Sequence, residues 1–156
     1  MHMEFPMKRK PFLISLSISL GTGVIAGFFT SSGMMRYQDM YHPPLAPPGW
    51  VFPVVWLILY TLMGIASYRI YKKNPKAEAL KLYLIQLAVN FVWPILFFNL
   101  RWYLLSVLWL FLLWYLVSVM IKEFGRIDEC AGKLMIPYLI WLTFAAYLNI
   151  AIALHR

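Results

Sequence analysis

Five long runs of apolar residues follow one another along the chain, separated by short segments in which polar, basic or proline residues collect. Each run has about the ~20 residues that a helix needs to cross a bilayer. None alternates apolar and polar residues with period 2, so the runs predict helices and not the strands of a membrane barrel. The pattern therefore predicts an all-α, single-domain bundle of five transmembrane helices over residues 1–156, with helices at about 12–30, 50–71, 79–98, 102–121 and 134–154.

The segment 31–49 joins the first two runs, and four of the residues between positions 43 and 48 are prolines. Because proline fixes φ and has no N–H, this part is expected to be a stiff, extended linker. Tyr37, Tyr41 and His42 precede the prolines, which makes the segment a candidate lid over a pocket at the mouth of the bundle. The alternative is an ordinary connector between two helices.

Three of the predicted helices carry aromatic, amide or small residues along one face. The sets are Pro53, Trp56, Tyr60 and Gly64 on the second helix; Gln86, Asn90, Trp93 and Phe97 on the third; and Tyr138, Trp141, Ala145 and Asn149 on the fifth. Their spacings place each set along one helical stripe. Amides in hydrocarbon need partners, so the face of the third helix is expected to point into the bundle, and the fifth helix repeats the pattern.

Deep tryptophans beside polar groups suit a pocket for a large, planar, apolar ligand. Two other interpretations stay open. The asparagines can serve only to tie helices together, and tryptophans near helix ends, such as Trp50 and Trp102, can form an interfacial belt. Gly23 and Gly27 have the GxxxG spacing that allows another helix to approach closely, which is a weak indication of a packing or dimer face.

Composition supports the membrane assignment, because 62% of the residues are hydrophobic and only 13% are charged, against about 25% charged in soluble domains. The net charge of +8 is also found in proteins that bind nucleic acid. In a membrane protein, however, basic loops more often set orientation and contact anionic lipid. Eleven of the 14 Lys and Arg residues lie on the side of the N-terminus. This bias predicts a cytoplasmic N-terminus, with the proline-rich segment and the C-terminus on the opposite side, and it fits a bacterial cytoplasmic membrane.

Several classes of function are disfavoured. The interiors of the predicted helices contain no acidic residue, which argues against a proton pump or an ion channel. His2, His42 and His155 are not spaced as a metal site, and the single Cys130 excludes an internal disulfide or a cysteine-only zinc site. No phosphate loop, HExxH motif or nucleophile elbow occurs. We therefore predict no metal and no required cofactor.

Three blocks of sequence resemble the TspO/MBR family of tryptophan-rich sensory proteins and translocator proteins. Residues 37–64 (YQDMYHPPLAPPGWVFPVVWLILYTLMG) are similar to its Y-x-x-L-x-K-P, P-P-x-W and W-x-x-x-Y-x-x-M-G elements. Residues 90–98 (NFVWPILFF) resemble N-x-x-W-x-x-x-F-F, and residues 137–149 (PYLIWLTFAAYLN) resemble P-Y-L-x-W-x-x-F-A-x-x-L-N. The likeness extends over about residues 12–154.

The resemblance implies a five-helix membrane protein, often a homodimer. It also implies a pocket, capped by the first loop, for porphyrins such as protoporphyrin IX and for isoquinoline-carboxamide or benzodiazepine-type drugs. The implied role is receptor or carrier, in tetrapyrrole transport or stress signalling. The positions that match the family's pocket are Tyr37, Trp56, Tyr60, Asn90, Trp93, Trp141, Ala145 and Leu148.

Two further functions remain as alternatives. The first is a light- and oxygen-dependent enzyme that degrades porphyrin, for which the resemblance makes Trp56 and Trp141 the candidate reactive residues. The second is a structural or regulatory membrane subunit. Arg36, His42, Leu45, Pro53 and Trp109 depart from the family's pattern around the lid and one wall, so ligand preference is less firmly implied than fold.

Overall fold

The computed structural model describes residues 9–35 and 41–155, with only the backbone at residues 32, 34 and 35. Within these ranges the elements are helices and turns, with no strand. Five helical stretches are long and apolar enough to cross a membrane, which confirms the predicted all-α bundle. The helices are α1 (Arg9–Met35), α2 (Val51–Lys73), α3 (Glu78–Pro94), α4 (Tyr103–Ile127), α5 (Glu129–Leu134) and α6 (Ile136–Leu154), and α5 with α6 makes the fifth stretch.

Two predicted loops are partly helical. The first helix was expected to end near residue 30, but α1 continues to Met35. The segment 122–133 was expected to be a charged loop, yet α4 extends through it to Ile127 and α5 begins at Glu129. Lys, Glu and Arg are good helix formers, and Arg126 pairs with Glu123 one turn earlier at 3.1 Å. The charged residues mark the point at which α4 leaves the apolar zone, and the helix continues beyond that point to Ile127.

The third predicted helix changes form at a proline. Pro94 lacks an N–H and its ring crowds the carbonyl four residues earlier, so the last turn of α3 loses a regular helical hydrogen bond and is prone to distort. α3 therefore ends at Pro94 and is followed by a π-helical turn, Ile95–Asn99. The N–H of Leu100 reaches the carbonyl of Ile95 at 3.0 Å. The tight connection to α4 places these two helices side by side, as the short predicted turn required.

The proline-rich segment is a turn and not one continuous extended linker. The Ala46 N–H donates to the Pro43 carbonyl at 3.0 Å, and Leu45 has a φ of 74°. The segment packs on the end of α6, where the Tyr147 hydroxyl donates to the Pro44 carbonyl at 2.5 Å and Tyr41 stacks on His155 with ring centroids 4.0 Å apart. Residues 36–40 lie outside the described part of the chain.

α1 lies at the periphery of the bundle. Only 11% of its membrane window is buried inside the protein, against 33–44% for the other four stretches. It packs mainly on α2 through glycines: a Cβ at Gly23 would lie 2.5 Å from the Tyr60 ring, and a Cβ at Gly64 would lie 2.7 Å from the Leu16 and Ser19 side chains. Half of the GxxxG motif thus serves a contact within the monomer.

An ion cluster closes the basic end of the bundle. Asp128 is 5% exposed and lies 2.5 Å from Arg69 Nε and 2.9 Å from Lys73 Nζ, both on α2. Its carboxylate also caps α5 by accepting from the Ala131 N–H at 3.0 Å. The hydrogen bonds from Arg69, assisted by those from Lys73 and the Ala131 N–H, outweigh the effect of burial and lower the pKa of Asp128 from 3.8 to about 2.

Candidate functional site

A chain of hydrogen bonds crosses the bundle and joins α2, α3 and α6. The Tyr60 hydroxyl donates to Asn90 Oδ1, and Asn90 Nδ2 donates to the Tyr138 hydroxyl at 2.6 Å. The Tyr138 hydroxyl then donates to Gln86 Oε1 at 2.7 Å. Each of these four side chains is 4% exposed or less. In surroundings without water these polar groups must satisfy one another, so the chain fixes how the three helices face each other.

The predicted polar stripe of the third helix is confirmed as an inward face. Gln86, Asn90, Trp93 and Phe97 are all between 0% and 3% exposed. Trp93 takes part in a second tie, since its Nε1 donates to Asn149 Oδ1 at 3.1 Å and Asn149 Nδ2 donates to the Tyr103 carbonyl at 3.2 Å. The asparagines therefore do tie helices together, as the structural interpretation proposed.

Beside the hydrogen-bonded chain lies a cavity of about 300 Å³ between α1, α2 and the end of α3. Its size is at the lower end of the ~300–1,000 Å³ that small-molecule sites occupy. It is almost wholly apolar. The lining residues are Leu20, Gly23, Val24, Ala26, Gly27, Thr30, Phe52, Pro53, Trp56, Leu57, Tyr60, Asn90, Pro94 and Phe98.

The cavity extends from the outer surface of the bundle to its buried polar centre. At one side, Val24 and Leu57 are 71% and 61% exposed; at the other, Tyr60 and Asn90 are buried. A Cβ built at Gly27 would have no atom within 4 Å apart from its chain neighbours and the adjacent backbone of α1. The gap between α1 and α2 is thus open on the face that lipid would cover, and Gly27 borders empty space.

Aromatic rings form the inner wall of the cavity. Trp56 packs on Tyr60 with ring centroids 5.6 Å apart and meets the edge of Trp141 at 6.4 Å. Trp141 in turn meets Phe52 at 5.9 Å. Within the described structure, the buried Trp141 Nε1 has no hydrogen-bond partner. Trp141 is therefore a second layer behind Trp56 and Phe52 and does not itself line the cavity.

The predicted site residues fall into four groups. Trp56, Tyr60 and Asn90 meet at the cavity. Trp141 stands directly behind them. Trp93, Ala145 and Leu148 are 1–3% exposed in the helix core and are not brought to this cavity. Tyr37 lies outside the described residues. The role of all eight positions in ligand binding stays a prediction.

α1 contributes a wall of the cavity that the predicted stripes do not include. Val24, Ala26 and Thr30 line the cavity together with both glycines of the GxxxG motif. The GxxxG motif was the available signal for this wall, since small residues leave room between helices. The same motif, however, is equally compatible with close helix packing and with open space. Phe52 and Phe98 also line the cavity without belonging to a predicted stripe.

In the ranges 9–35 and 41–155 there is no group of three or more His, Cys, Asp or Glu residues that could hold a metal ion. Cys130 is free and exposed. The chemistry that the cavity offers is therefore apolar and aromatic contact plus a few hydrogen bonds around Asn90.

Comparison with known proteins gives consistent matches. A sequence profile of the TspO/MBR family matches residues 14–155. The tryptophan-rich protein TspO of Chlorobaculum tepidum is 32% identical over 149 residues, covering 90% of this chain and 94% of that protein. The tryptophan-rich sensory protein of Cereibacter sphaeroides is 36% identical over 118 residues, covering 72% of both chains. The human translocator protein is 35% identical over 143 residues, covering 86% of this chain and 83% of the relative.

Proposed function

This chain belongs to the TspO/MBR family of integral membrane proteins, and from that premise we propose that it binds porphyrins in the cavity between α1, α2 and α3. The names of its relatives, sensory and translocator protein, support a receptor or transport role at a membrane. Protoporphyrin IX and haem-type tetrapyrroles are the proposed natural ligands. Isoquinoline-carboxamide and benzodiazepine-type drugs would occupy the same place, and the role would be tetrapyrrole transport or stress signalling.

The observation that carries the proposal is an apolar cavity with an aromatic wall and one buried amide. A flat conjugated ring gains most from stacking on, or edge contact with, other flat rings, and Trp56 and Tyr60 present such surfaces together. A macrocycle larger than the cavity would extend outward between α1 and α2, past Val24 and Leu57. Because α1 is the least buried helix, it is the wall that can yield most readily.

Asn90 supplies the polar recognition. Its side chain has two N–H donors and an acceptor oxygen with two lone pairs. One donor is used by Tyr138, and one acceptor position is used by Tyr60. One N–H therefore remains for a ring nitrogen or carbonyl of a ligand in the cavity. The carboxylates of a porphyrin would stay toward the proline-rich end, because burying them among apolar residues is costly.

Saturable quenching of tryptophan fluorescence by protoporphyrin IX, measured in the dark on detergent-purified protein, tests the proposal. Trp56→Phe should weaken binding by about three- to tenfold through lost ring contact, and Trp141→Phe by less, because Trp141 acts through Trp56. Trp114→Phe is the matched control, since Trp114 is 40% exposed on α4 and bonds Thr143 away from the cavity. Absence of saturable quenching in the wild type would refute the proposal.

A second candidate is light-dependent degradation of the bound porphyrin, with oxygen as the oxidant. The edge contact between Trp56 and Trp141 favours it, because a reactive species formed at Trp56 would have a second indole in contact. Illumination of the bound complex should then yield a new absorbing product that is lost in Trp56→Phe and Trp141→Phe. Equal bleaching in the variants would identify ordinary photochemistry of the dye.

We also propose that the protein resides in a bacterial cytoplasmic membrane, with the N-terminus inside and the proline-rich segment outside, and that it forms a homodimer. The support for orientation is the clustering of basic residues at the end where α1 begins and α2 ends. The support for the dimer is the family alone. Gly23 is used against Tyr60 and Gly27 lines the cavity, so the GxxxG motif is not assigned to the dimer contact.

A further inference from the structure

A second cleft lies at the basic end of the bundle, between the beginnings of α1 and α3 with the end of α2 behind it. Its volume is about 390 Å³. It shares no lining residue with the aromatic cavity. The proposed porphyrin site therefore neither explains it nor depends on it.

The floor of the cleft contains buried hydroxyls. Tyr83 and Ser67 line it and are 3% and 4% exposed. The Tyr83 hydroxyl makes no hydrogen bond of ordinary geometry to any described residue. Its polar neighbours are the hydroxyls of Ser67 and Ser19, which donate to the carbonyls of Gly64, at 3.1 Å, and Leu16, at 3.2 Å. Their oxygens keep lone pairs that can accept, but neither forms a hydrogen bond of ordinary geometry with the Tyr83 hydroxyl. A buried donor without a firm partner is destabilising, so the cleft offers an unfilled position for an acceptor.

The edges of the cleft are apolar and its outer end is cationic. Ile14 and Leu84 line it and are 50% and 53% exposed, so it opens sideways on the surface that lipid would cover. Lys10 lines its outer end at the start of α1. The nearby acidic residue Glu78 does not line the cleft and pairs with Lys81 at 3.5 Å. The cleft thus combines a positive charge at its outer end with a buried hydroxyl and an apolar groove.

We propose that this cleft binds an anionic phospholipid. The phosphate lies beside the Lys10 ammonium, one glycerol ester carbonyl accepts from the Tyr83 hydroxyl, and an acyl chain fills the groove past Ile14 and Leu84. Tyr83 is five residues into α3, and a helix rises about 1.5 Å per residue, so Tyr83 lies roughly 7 Å inward from the start of that helix. Basic pockets between transmembrane helices on the cytoplasmic side are known to hold anionic head groups.

Native mass spectrometry of the full chain in detergent, titrated with dioleoylphosphatidylglycerol or dioleoylphosphatidylcholine, tests the proposal. We expect saturable binding of one phosphatidylglycerol in preference to phosphatidylcholine. Lys10→Gln should weaken it about fivefold, and Tyr83→Phe should weaken it without changing net charge. Lys122→Gln is the matched control, because Lys122 is exposed on α4 and does not line the cleft. Protoporphyrin binding should not change in any of these variants.

Five results would overturn the proposal. Equal binding of the two lipids, or equal weakening by Lys10→Gln and Lys122→Gln, would reduce the effect to diffuse attraction. Unchanged phosphatidylglycerol binding in Tyr83→Phe would remove the hydroxyl from the site. Binding that appears only after removal of residues 1–8, or only in monomers and not in dimers, would assign the cleft to the chain's own N-terminus or to a second copy.

Discussion

Replacing Asp128 by Asn tests how much the ion cluster at the basic end contributes to stability. A pKa near 2 in place of 3.8 corresponds to about 2 kcal/mol of extra stabilisation of the charged form, because a change of one unit in pKa corresponds to ~1.36 kcal/mol. Asn preserves the volume and the helix cap, since it is as good an N-cap as Asp. We therefore expect Asp128→Asn to lower the free energy of unfolding by about 2 kcal/mol.

The partners of Asp128 set the upper limit of this effect. Removing one member of a fully buried ion pair costs about 3–5 kcal/mol because the other charge is left without water. Arg69 and Lys73 are 39% and 50% exposed, so both can regain water and the loss should be smaller. Asp128→Ala should cost about 1 kcal/mol more than Asp128→Asn, because it also removes the cap over the Ala131 N–H.

The pH dependence of Asp128 has a definite sign. Its pKa is lowered in the folded state, so its stabilisation is fully present above the unfolded value of about 3.8 and is lost as pH falls toward 2. This contribution should be constant between pH 8 and pH 5 and should decline below about pH 4. In Asp128→Asn that decline should be smaller by the same amount.

Equilibrium unfolding by sodium dodecyl sulfate titrated into mild detergent, followed by circular dichroism, measures these differences. The matched control is Glu123→Gln, which removes the pair with Arg126; these side chains are 41% and 74% exposed. The control should change stability by less than about 0.5 kcal/mol. Equal effects of Asp128→Asn and Glu123→Gln would refute the reasoning from burial.

Two further predictions address the polar chain and the orientation. Tyr138→Phe leaves Gln86 Oε1 and one Asn90 N–H without their partner, so the free energy of unfolding should fall by about 1–2 kcal/mol. Tyr115→Phe is the control, because Tyr115 is exposed on α4. An equal loss of stability in Tyr115→Phe would contradict the account. Cys130 is exposed at the basic end, so a membrane-impermeant maleimide should label it in opened but not intact cells. Labelling in intact cells would reverse the proposed orientation.

The sequence predicts the helices well because a segment that crosses a bilayer needs about 20 mostly apolar residues, and such a segment is easy to recognise. It also predicts the inward face of α3, since amides at i and i+4 have no acceptable place in lipid. It does less well where helix continuation is decided by capping. The short α5 was missed, although Asp128 followed by Glu129 has the form of a helix start.

The position of the cavity could not be predicted from the stripes. They identify the inward faces of α3 and α6, and Trp93, Ala145 and Asn149 are indeed buried. Whether an inward face meets another side chain or an empty space depends on packing between helices distant in sequence. Gly23 and Gly27 show the difficulty, because they lie four residues apart on the same helix. The Tyr60 ring packs against Gly23, whereas Gly27 borders open space.

Binding of protoporphyrin IX to Gly27→Leu, titrated in the dark, tests the central claim that the ligand occupies the cavity between α1, α2 and α3. The added side chain fills space that is now empty, and no neighbour lies within 4 Å of its Cβ, so folding should persist while affinity falls about tenfold or more. Gly21→Leu is the control, since Gly21 also has room but does not line the cavity. Wild-type affinity in Gly27→Leu would place the ligand elsewhere.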